Sequence, residues 1–428
     1  MAPRKIIIDT DPGVDDVLAL LLALSASDTE LEVLLISLTF GNIDLENCLQ
    51  NTISMFHVLE EERKWRLENS LPAGYRSLEK FPPIVAVGAD RPLEDQVLIA
   101  DYFHGRDGLG NVHTTAPHFT PAATWQHMFQ TTPSLLPTGL APPNFIPTSI
   151  PSHLKILELL RSNPPDTITI VAIGPLTNLA LAAEEDPETF LRAQEVVIMG
   201  GTINVEGNVT PVAEFNHFAC SWSAARIYAL TSQVPSSTLP PSPSGTWKPY
   251  PEGLSRTLNL TVFPLDITSG HLLSAAEVEA VTAPLRAAGS PLATWAGVFL
   301  TATFARMKEI YVAGEAPEPE GKSLVNDISL HDPLCVWYLL SLLKGETWTA
   351  VENRDIRIET TGQWTRGMCV VDRRGKKVEE DLAESALVED IGVWLHKGYG
   401  NRVRQVVRSP EGHELGFATE MLNRVFVG

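Results

Sequence analysis

The chain has 428 residues, with 32 Lys or Arg against 52 Asp or Glu, so its formal net charge is −20. That charge argues against nucleic acid or an anionic membrane surface as the main partner. Four dispersed cysteines without a CxxC pair indicate reduced thiols, and we find neither a signal peptide nor an apolar run of the ~20 residues that a membrane span needs, so we expect a cytoplasmic protein.

The first predicted elements surround an acidic segment, DTDPGVDD at 9–16. A β-branched run at 5–8 predicts a buried strand before it, and the continuous apolar run at 17–24 predicts a buried helix after it. Pro12 and Gly13 make the turn between them. Four carboxylates therefore meet where a strand passes into a helix: Asp9, Asp11, Asp15 and Asp16.

The negative charges of these four carboxylates repel one another and must be offset by positive charge, by protons or by solvent. Unit charges about 4 Å apart repel by roughly 1 kcal/mol in bulk water and several-fold more in a partly dry cleft. The positive end of the helix offsets one charge at most, and the apolar runs on both sides argue against full exposure. One interpretation is that Asp15 and Asp16 cap the helix while Asp9 and Asp11 bond to the loop. For all four together, a divalent cation is the better hypothesis.

Further along the chain, strands alternate with helices, which predicts βαβ units and a parallel sheet. The later strands are predicted at 31–39, 84–88, 167–173, 196–199 and 260–264, and the later helices at 44–61, 221–230, 275–288, 291–310 and 333–343, with a further helix that opens within 174–178 and runs to about 185. We therefore expect an α/β fold, with a mostly parallel, Rossmann-like central sheet flanked by helices. Its ligand would bind beyond the carboxyl ends of the strands.

Several stretches do not fit this alternation. The segment at 104–110 is rich in glycine, lacks the spacing of a phosphate loop, and predicts a mobile flap. Segments 60–80, 115–151 and 235–260, the last two rich in proline, are interpreted as surface insertions. None has the character of an interdomain linker, so we predict one large domain over residues 1–428 with its core motifs at 5–340.

Polar residues recur at the ends of the predicted strands or the starts of helices. Each has an ordinary interpretation: Asn42 as a turn residue, Glu214 as a carboxylate paired with a base, His331 as a structural histidine, and Asp332 before Pro333 as a helix N-cap. Because a parallel sheet gathers strand ends along one rim, we expect them to lie together.

At this point the chain resembles the inosine–uridine-preferring nucleoside hydrolase family. The matching motifs occur in the family's order: DTDPGVDD at 9–16, FGN at 40–42, HGRDGLG at 104–110, VAIGPLTNLA at 171–180, VVIMGG at 196–201, GNVTPVAEFN at 207–216, LDIT at 265–268 and HDP at 331–333. Asp9 and Asp266 match motif positions without an assigned role.

The resemblance implies a catalytic Ca²⁺ bound by Asp11, Asp16, Asp332 and the main-chain carbonyl of Ile173. It implies that Met199 lies beneath the ribose. It also implies that the ribose hydroxyls are bound by five polar residues: Asp15, Asn42, Asn208, Glu214 and Asn216. By the same implication, Asp11 deprotonates a metal-bound water, and His104 and His331 lie near the base, where His331 helps to protonate the leaving group.

The implied reaction is hydrolysis of the N-glycosidic bond of ribonucleosides, of the uridine or inosine type and with nicotinamide riboside as a further candidate, to free base and ribose. Oxygen ligands without a Cys or His pair suit Ca²⁺ or Mg²⁺ better than zinc. A carboxylate such as Glu214 can stabilise the positive charge that develops on the sugar. The expected partner is the small-molecule nucleoside, and the expected assembly is a homo-oligomer, a dimer or tetramer.

Two other functions stay open. A phosphatase of the haloacid dehalogenase type also places two aspartates after its first strand, but it needs Thr or Val where this chain has Gly13. Mg²⁺-dependent release of phosphate would favour it. A nucleoside- or calcium-binding relative without turnover would instead bind ribose and release no base.

Overall fold

A nine-stranded sheet forms the centre of the computed structural model, which describes residues 2–121, 127–130, 144–313, 327–376, 390–410 and 416–428. Within these residues, every helix is too short or too polar to cross a membrane. The strands are β1 (Arg4–Thr10), β2 (Leu31–Leu38), β3 (Ile84–Val87), β4 (Ile146–Thr148), β5 (Ile168–Ala172), β6 (Glu195–Met199), β7 (Leu260–Phe263), β8 (Leu272–Ser274), β9 (Asp327–Ser329), β10 (Thr349–Arg354), β11 (Arg357–Ile358), β12 (Cys369–Val370) and β13 (Val403–Arg408).

The order of the strands in the central sheet is β10-β13-β7-β6-β5-β1-β2-β3-β4. All neighbours pair in parallel except β10 and β13, which are antiparallel. Two antiparallel pairs, β8 with β9 and β11 with β12, lie outside this sheet. The predicted mostly parallel sheet is therefore confirmed. Strands β2, β3 and β4 follow one another on one side of β1, and β5 pairs with β1 on its other side. The strand order therefore reverses at β1, and such a reversal opens a crevice beside the carboxyl end of the strand.

Helices cover both faces of the sheet, and the sequence of β1 shows why. Ile6 and Ile8 belong to one hydrophobic core and Ile7 to the other, because successive side chains of a strand point to opposite faces. The helices are α1 (Val14–Ser25), α2 (Leu45–Glu68), α3 (Ser77–Lys80), α4 (Asp101–His104), α5 (Val112–Thr115), α6 (His127–Gln130), α7 (Ser152–Ser162), α8 (Thr177–Glu185), α9 (Pro187–Phe190), α10 (Phe215–Ala219), α11 (Ser221–Ala229), α12 (Leu265–Thr268), α13 (Ala275–Ala287), α14 (Pro291–Ala313), α15 (His331–Leu343) and a last helix, Phe417–Leu422.

Helix α1 begins earlier than the apolar run alone predicts. Its N-cap is Gly13, whose main-chain N–H donates to the Asp16 carboxylate at 3.0 Å, so that the acidic residues form its first turn. The helix is buried along nearly its whole length and packs against α15. This contact brings the N-terminal ends of two helices, each carrying aspartates, to the same place.

The predicted insertions have different outcomes. Helix α2 continues to Glu68 rather than ending near residue 61, so the start of segment 60–80 is helical. Residues 122–126 and 131–143 of segment 115–151 lie outside the described residues. Segment 235–260 contains a 3₁₀ turn, Pro235–Ser237, ahead of β7. That these segments are insertions relative to the family core stays a prediction.

Candidate active site

The ends of four neighbouring strands and the starts of two helices meet at one rim of the sheet. Asp11 follows β1, Asn42 follows β2, Ile173 follows β5 and Met199 ends β6. The first turns of α1 and α15 face each other across this rim, since the two helices pack together. The topology therefore gathers the residues that the sequence motifs singled out.

Three carboxylates converge at this contact between the two helices. Ligand oxygens of Asp15, Asp16 and Asp332 all lie within 4.8 Å of one another. Asp16 is fully buried and Asp332 is buried at the start of α15, whereas Asp15 is only partly covered. These three side chains could hold a metal ion through oxygen donors alone.

Asp11 lies beside this cluster with one oxygen engaged and one not. Its Oδ2 accepts the main-chain N–H of Asn42 at 2.6 Å. Its Oδ1 is buried and has no hydrogen-bond partner among the described residues. Gly41 and Gly174 approach the Asp11 carboxylate so closely that a Cβ on either would overlap it. Gly174 follows Ile173 directly, so the main chain just after β5, which includes the Ile173 carbonyl, lies next to Asp11.

Asp16 holds the loop in place as well as joining the cluster. Its Oδ1 accepts from the Thr10 hydroxyl at 2.6 Å, and its Oδ2 accepts from Asn42 Nδ2 at 2.7 Å and from the Gly13 N–H. The helix-capping interpretation is thus correct for Asp16, and it does not exclude the metal interpretation. A carboxylate oriented by several donors is a well-positioned ligand.

Burial raises the pKa of every carboxyl in this group. The pKa of Asp15 rises to about 7, with Asp16 contributing by charge repulsion, and the pKa of Asp11 and Asp332 rises well above the ordinary value. The pKa of Asp16 is also raised by burial, against several hydrogen bonds that lower it. Four such groups cannot all be ionised without a cation, so the unpartnered Asp11 Oδ1 and the all-oxygen donor set fit a hard divalent ion.

A cavity of about 490 Å³ opens next to these carboxylates. It is lined by ten of the predicted site residues: Asp15, Asn42, His104, Ile173, Met199, Asn208, Glu214, Asn216, His331 and Asp332. The remaining two, Asp11 and Asp16, are fully buried and bond to Asn42 in the cavity wall. The structure therefore brings all of the predicted site residues together.

The amide and carboxylate groups of the wall are fixed by main-chain contacts. Asn216 Nδ2 donates to the Ile173 carbonyl at 2.9 Å and to the Met199 carbonyl at 3.2 Å. Asn208 Oδ1 accepts the Phe215 N–H at 3.0 Å. These bonds leave Asn216 Oδ1 and Asn208 Nδ2 for a ligand.

Glu214 is the N-cap of α10. Its two oxygens accept the N–H groups of Gly201, Asn216 and His217 at 2.7–3.1 Å. Burial raises its pKa, and these three donors oppose that shift. The carboxylate is therefore held rigidly in the wall of the cavity: Oε2 accepts two of these bonds and Oε1 accepts one, so the second lone pair of Oε1 can still accept a bond.

Both histidines of the cavity are neutral. Burial lowers the pKa of His104 to about 3 and that of His331 to about 4. His104 Nδ1 accepts the Val14 N–H at 3.2 Å, so its proton is on Nε2. His331 Nδ1 lies 2.7 Å from the Thr268 hydroxyl. Each ring can thus act as a hydrogen-bonding group of defined orientation.

The other wall of the cavity is apolar, and the sequence motifs did not identify it. It is formed by Tyr102, Phe103, Leu265, Met307, Ile310 and Ile328. Met307 and Ile310 are one helical turn apart on α14, which was predicted as a helix without a role. Their i, i+3 spacing was the available signal, but it does not distinguish a cavity wall from an ordinary core face.

Two motif aspartates without an assigned role are structural. Asp9 accepts from the Ser37 hydroxyl at 2.5 Å and from Asn178 Nδ2 at 2.9 Å. Asp266 accepts the N–H groups of Ile203 and Asn204, both at 2.8 Å, and so holds the loop after β6.

The chain is similar to known nucleoside hydrolases in both sequence and fold. A family model described as "Inosine-uridine preferring nucleoside hydrolase" matches residues 6–392. A pyrimidine-specific ribonucleoside hydrolase, RihA, of Salmonella agona is 31% identical over 86% of this chain and 88% of its own length. An inosine-uridine preferring nucleoside hydrolase of Leishmania major is 30% identical over 87% and 88%, respectively. The solved structure of a plant nucleoside hydrolase is similar with a TM-score of 0.62 and 21% identity, over 100% of both chains.

Proposed function

The chain belongs to the inosine-uridine preferring nucleoside hydrolase family, whose members hydrolyse N-glycosyl compounds, and we propose that it is a Ca²⁺-dependent ribonucleoside hydrolase that uses Asp11 as its base. The observation that carries this proposal is the buried Asp11 Oδ1, which has no partner in the described part of the chain and lies beside the converging carboxylates of α1 and α15. A haloacid dehalogenase-type phosphatase is not favoured, because the family match extends from the first strand through all of the motifs.

Asp11, Asp16, Asp332 and the Ile173 carbonyl are the proposed ligands of the ion, and Asp15 adjoins them. When bound, a Ca²⁺ ion would supply positive charge that makes a nearby water more acidic and orients the sugar hydroxyls. The oxygen donors, and the absence of Cys and His from the described cluster, support a hard cation over zinc.

Asp11 is the proposed general base. The Asn42 N–H fixes Asp11 Oδ2, while Oδ1 has no partner among the described residues. Oδ1 has two lone pairs, so one could face the ion while the other accepts a proton from the attacking water. In the reaction the water oxygen bonds to the anomeric carbon, the carbon–nitrogen bond breaks, and the nitrogen of the base takes the electron pair. One proton of the water goes to Asp11 and the other stays on the new sugar hydroxyl. The nitrogen of the departing base takes a proton from the solvent, and Asp11 returns its own proton to the solvent, so the reaction balances.

The sugar is proposed to lie against the polar wall. Asp15, Asn42, Asn208, Glu214 and Asn216 would bind its hydroxyls, with Met199 beneath the ring. Glu214, held by three main-chain donors, keeps a carboxylate close to the ring as positive charge develops there. An electrostatic group that need not reorganise is an efficient stabiliser of a transition state.

His331 is the proposed donor to the leaving base. The Thr268 hydroxyl lies 2.7 Å from Nδ1, and we propose the tautomer in which this hydroxyl donates to Nδ1 and the ring proton is on Nε2, from where it can donate into the cavity. The lowered pKa of His331, due to burial, makes it a neutral hydrogen-bond donor at pH 7 rather than an imidazolium. His104, with its proton on Nε2, is placed to contact the same base.

Uridine and inosine are the proposed substrates, with nicotinamide riboside as a further candidate. The support comes from the two relatives, one described as pyrimidine-specific and the other as inosine-uridine preferring, and from the apolar residues that line the cavity beside the polar ones. We also propose a homo-oligomer, a dimer or tetramer, which light scattering on the purified protein tests.

The decisive assay is a panel of uridine, cytidine, inosine, adenosine and nicotinamide riboside, with the free base quantified by chromatography. We expect base and ribose in equal amounts from uridine or inosine. Binding of ribose without release of base would identify a relative that has lost turnover. If the protein releases phosphate from phosphomonoesters with Mg²⁺ and releases no base from any nucleoside, it is a phosphatase instead.

A further inference from the structure

Asn51, on α2, bridges two segments of the active site although it does not itself line the cavity. It is fully buried, and it is not among the described residues that form the wall of the active-site cavity. Its Nδ2 donates to the Pro12 carbonyl at 2.7 Å and to the Asp107 carbonyl at 2.9 Å. One amide group therefore holds together two main-chain segments that are far apart in the sequence.

The first of these carbonyls lies within the acidic segment at 9–16. Pro12 directly follows Asp11, the proposed base, and its carbonyl shares a peptide group with the Gly13 N–H. That N–H donates to the Asp16 carboxylate at 3.0 Å. Because the peptide group is planar, Asn51 and Asp16 hold the two sides of one rigid unit. The bond from Asn51 therefore restrains the main chain that carries Asp11.

The second carbonyl lies in the glycine-rich segment 104–110, which carries His104. The Gly110 N–H donates to the His104 carbonyl at 2.8 Å. The Asp107 carboxylate accepts three main-chain N–H groups at 2.8–3.0 Å, those of Leu109, Asn111 and His113. Because these bonds fix the shape of the segment, a bond that holds the Asp107 carbonyl also restrains His104, which lines the cavity.

The orientation of the Asn51 amide follows from its partners. Both hydrogens of Nδ2 are donated to carbonyl oxygens, so Oδ1 faces His113 Nε2 at 2.7 Å, and Nε2 carries the proton. The segment comes so near that a Cβ at Gly108, whose φ is +80°, would lie 2.9 Å from Asn51 Nδ2. Rotation of the amide by half a turn would set its oxygen against two carbonyl oxygens. The bridge therefore requires an amide in this orientation.

We propose that Asn51 is a positioning residue, which fixes the segment that carries His104 relative to the segment that carries Asp11. This inference rests on the proposed hydrolysis, in which Asp11 accepts a proton from water and His104 contacts the nucleobase. Without the Asn51 amide, the Pro12 and Asp107 carbonyls lose a shared donor, so the two segments can move independently. A displacement of ~1 Å at a reacting group can cost about 10²-fold in rate, even when the change lies far from the chemistry.

Hydrogen exchange of the main-chain amides, measured by mass spectrometry without substrate, tests the bridge itself. In Asn51→Ala we expect faster exchange in both segments, 9–16 and 104–113. Wild-type exchange in this variant would overturn the proposal. Because no substrate is present, the result does not depend on the proposed hydrolysis, which fails if the wild type releases no base.

Ser77→Ala is the control for this measurement. It removes a buried bond of 2.9 Å, from the Ser77 hydroxyl to the Leu24 carbonyl, at the other end of α1. Both segments should therefore exchange as they do in the wild type.

Steady-state kinetics tests whether the bridge acts through His104. Asn51→Ala should raise KM for the best nucleoside about three- to ten-fold, as for the loss of roughly one hydrogen bond to the nucleobase. A variant that is only less stable, such as Ser77→Ala, keeps the KM of its folded fraction. In a double-mutant cycle, Asn51→Ala should have little further effect on KM once His104→Ala is present. An unchanged KM in Asn51→Ala, or an equal rise with and without His104, would overturn the proposal.

His113→Ala takes the place of Asn51→Ala if that variant does not fold by circular dichroism. It removes the donor to Asn51 Oδ1 from a half-buried position and leaves both carbonyl bonds in place. We expect faster exchange in segment 104–113 and a rise in KM of about two-fold. Wild-type values of both would contradict the proposal.

Discussion

Asp11 and Asp9 are two similar buried carboxylates that differ in what surrounds them. In each, one oxygen has no partner among the described residues. The engaged oxygen of Asp11 accepts the Asn42 N–H, and Asn42 also bonds to Asp16 of the carboxylate cluster, whereas the engaged oxygen of Asp9 accepts from Ser37 and Asn178 in the interior of the sheet. The sequence shows two similar aspartates at 9 and 11, and only the fold separates the structural one from the proposed base.

Replacing Asp11 tests its proposed role. Asp11→Asn keeps the volume of the side chain but removes the group that accepts a proton, so kcat for base release should fall about 10²- to 10⁴-fold. Asp28→Asn removes the same charge at an exposed position that pairs with Lys80 and should leave kcat unchanged. Steady-state kinetics on the best nucleoside of the panel gives the comparison; an Asp11→Asn enzyme with near wild-type kcat would rule out Asp11 as the base.

The glycine at position 41 is required by packing. A Cβ there would overlap the Asp11 carboxylate, so Gly41→Ala must displace either the loop or the acid. We expect kcat to fall at least ten-fold and the free energy of unfolding to fall by about 1–3 kcal/mol.

Gly270→Ala is the matched control for that substitution, because its Cβ would meet nothing nearer than 3.6 Å. Urea denaturation and kinetics on both variants test the idea. Equal behaviour of Gly41→Ala and Gly270→Ala would show that the approach to Asp11 is looser than the structure indicates.

At the scale of elements, the apolar patterns predicted the existence and order of the strands and long helices, because burial on both faces of a parallel sheet produces continuous apolar runs. They did not predict the end of α2. Its last turns are charged, yet Arg66 is buried there, paired with Glu62 at 2.8 Å and donating to the Phe426 carbonyl at 2.6 Å. A contact between residues 360 positions apart leaves no local signal.

Asn178 shows the same limit. Its place in the first turn of α8 indicates only a residue at the start of a helix, but in the structure it joins β1, β2 and the residues after β3. Its Nδ2 donates to Asp9 and to the Leu38 carbonyl, and its Oδ1 accepts the Ala89 N–H at 2.8 Å. Strand ends that converge at the site are held together by this side chain.

Asn178→Ala should therefore lower the free energy of unfolding by about 1–3 kcal/mol, since it leaves buried partners unsatisfied. Asn69→Ala, which removes an exposed bond from Nδ2 to the Trp65 carbonyl, should cost less than about 0.5 kcal/mol. Chemical denaturation of both variants measures the difference. A cost for Asn178→Ala no larger than that for Asn69→Ala would mean that the strand ends are positioned by other contacts.

At the scale of the whole molecule, the two halves of the sheet and the contact of α1 with α15 bring together carboxylates more than 300 positions apart, such as Asp16 and Asp332. Motif order alone predicted which residues would gather, because strand ends of a parallel sheet share one rim. The apolar wall from α14 depends on side-chain packing between distant segments, and the sequence could not predict it.

If these carboxylates hold one ion, the folded state must be stabilised by it. Ca²⁺ at about 100 times its Kd should add roughly 2.7 kcal/mol to the free energy of unfolding and raise Tm. Asp332→Asn should lose most of this shift, whereas Asp372→Asn, an aspartate outside the site that pairs with Arg374, should keep it. Differential scanning calorimetry with and without Ca²⁺ makes the measurement, and an identical shift in all three proteins would place the ion elsewhere.

The most direct test of the central claim, that these converging carboxylates hold a catalytic ion, is to titrate the chelator-treated protein with Ca²⁺ while base release and bound metal are both measured. The account predicts that activity is absent without metal and returns in proportion to bound Ca²⁺, reaching its maximum at one ion per chain. Full base release from protein shown to be free of metal would contradict it.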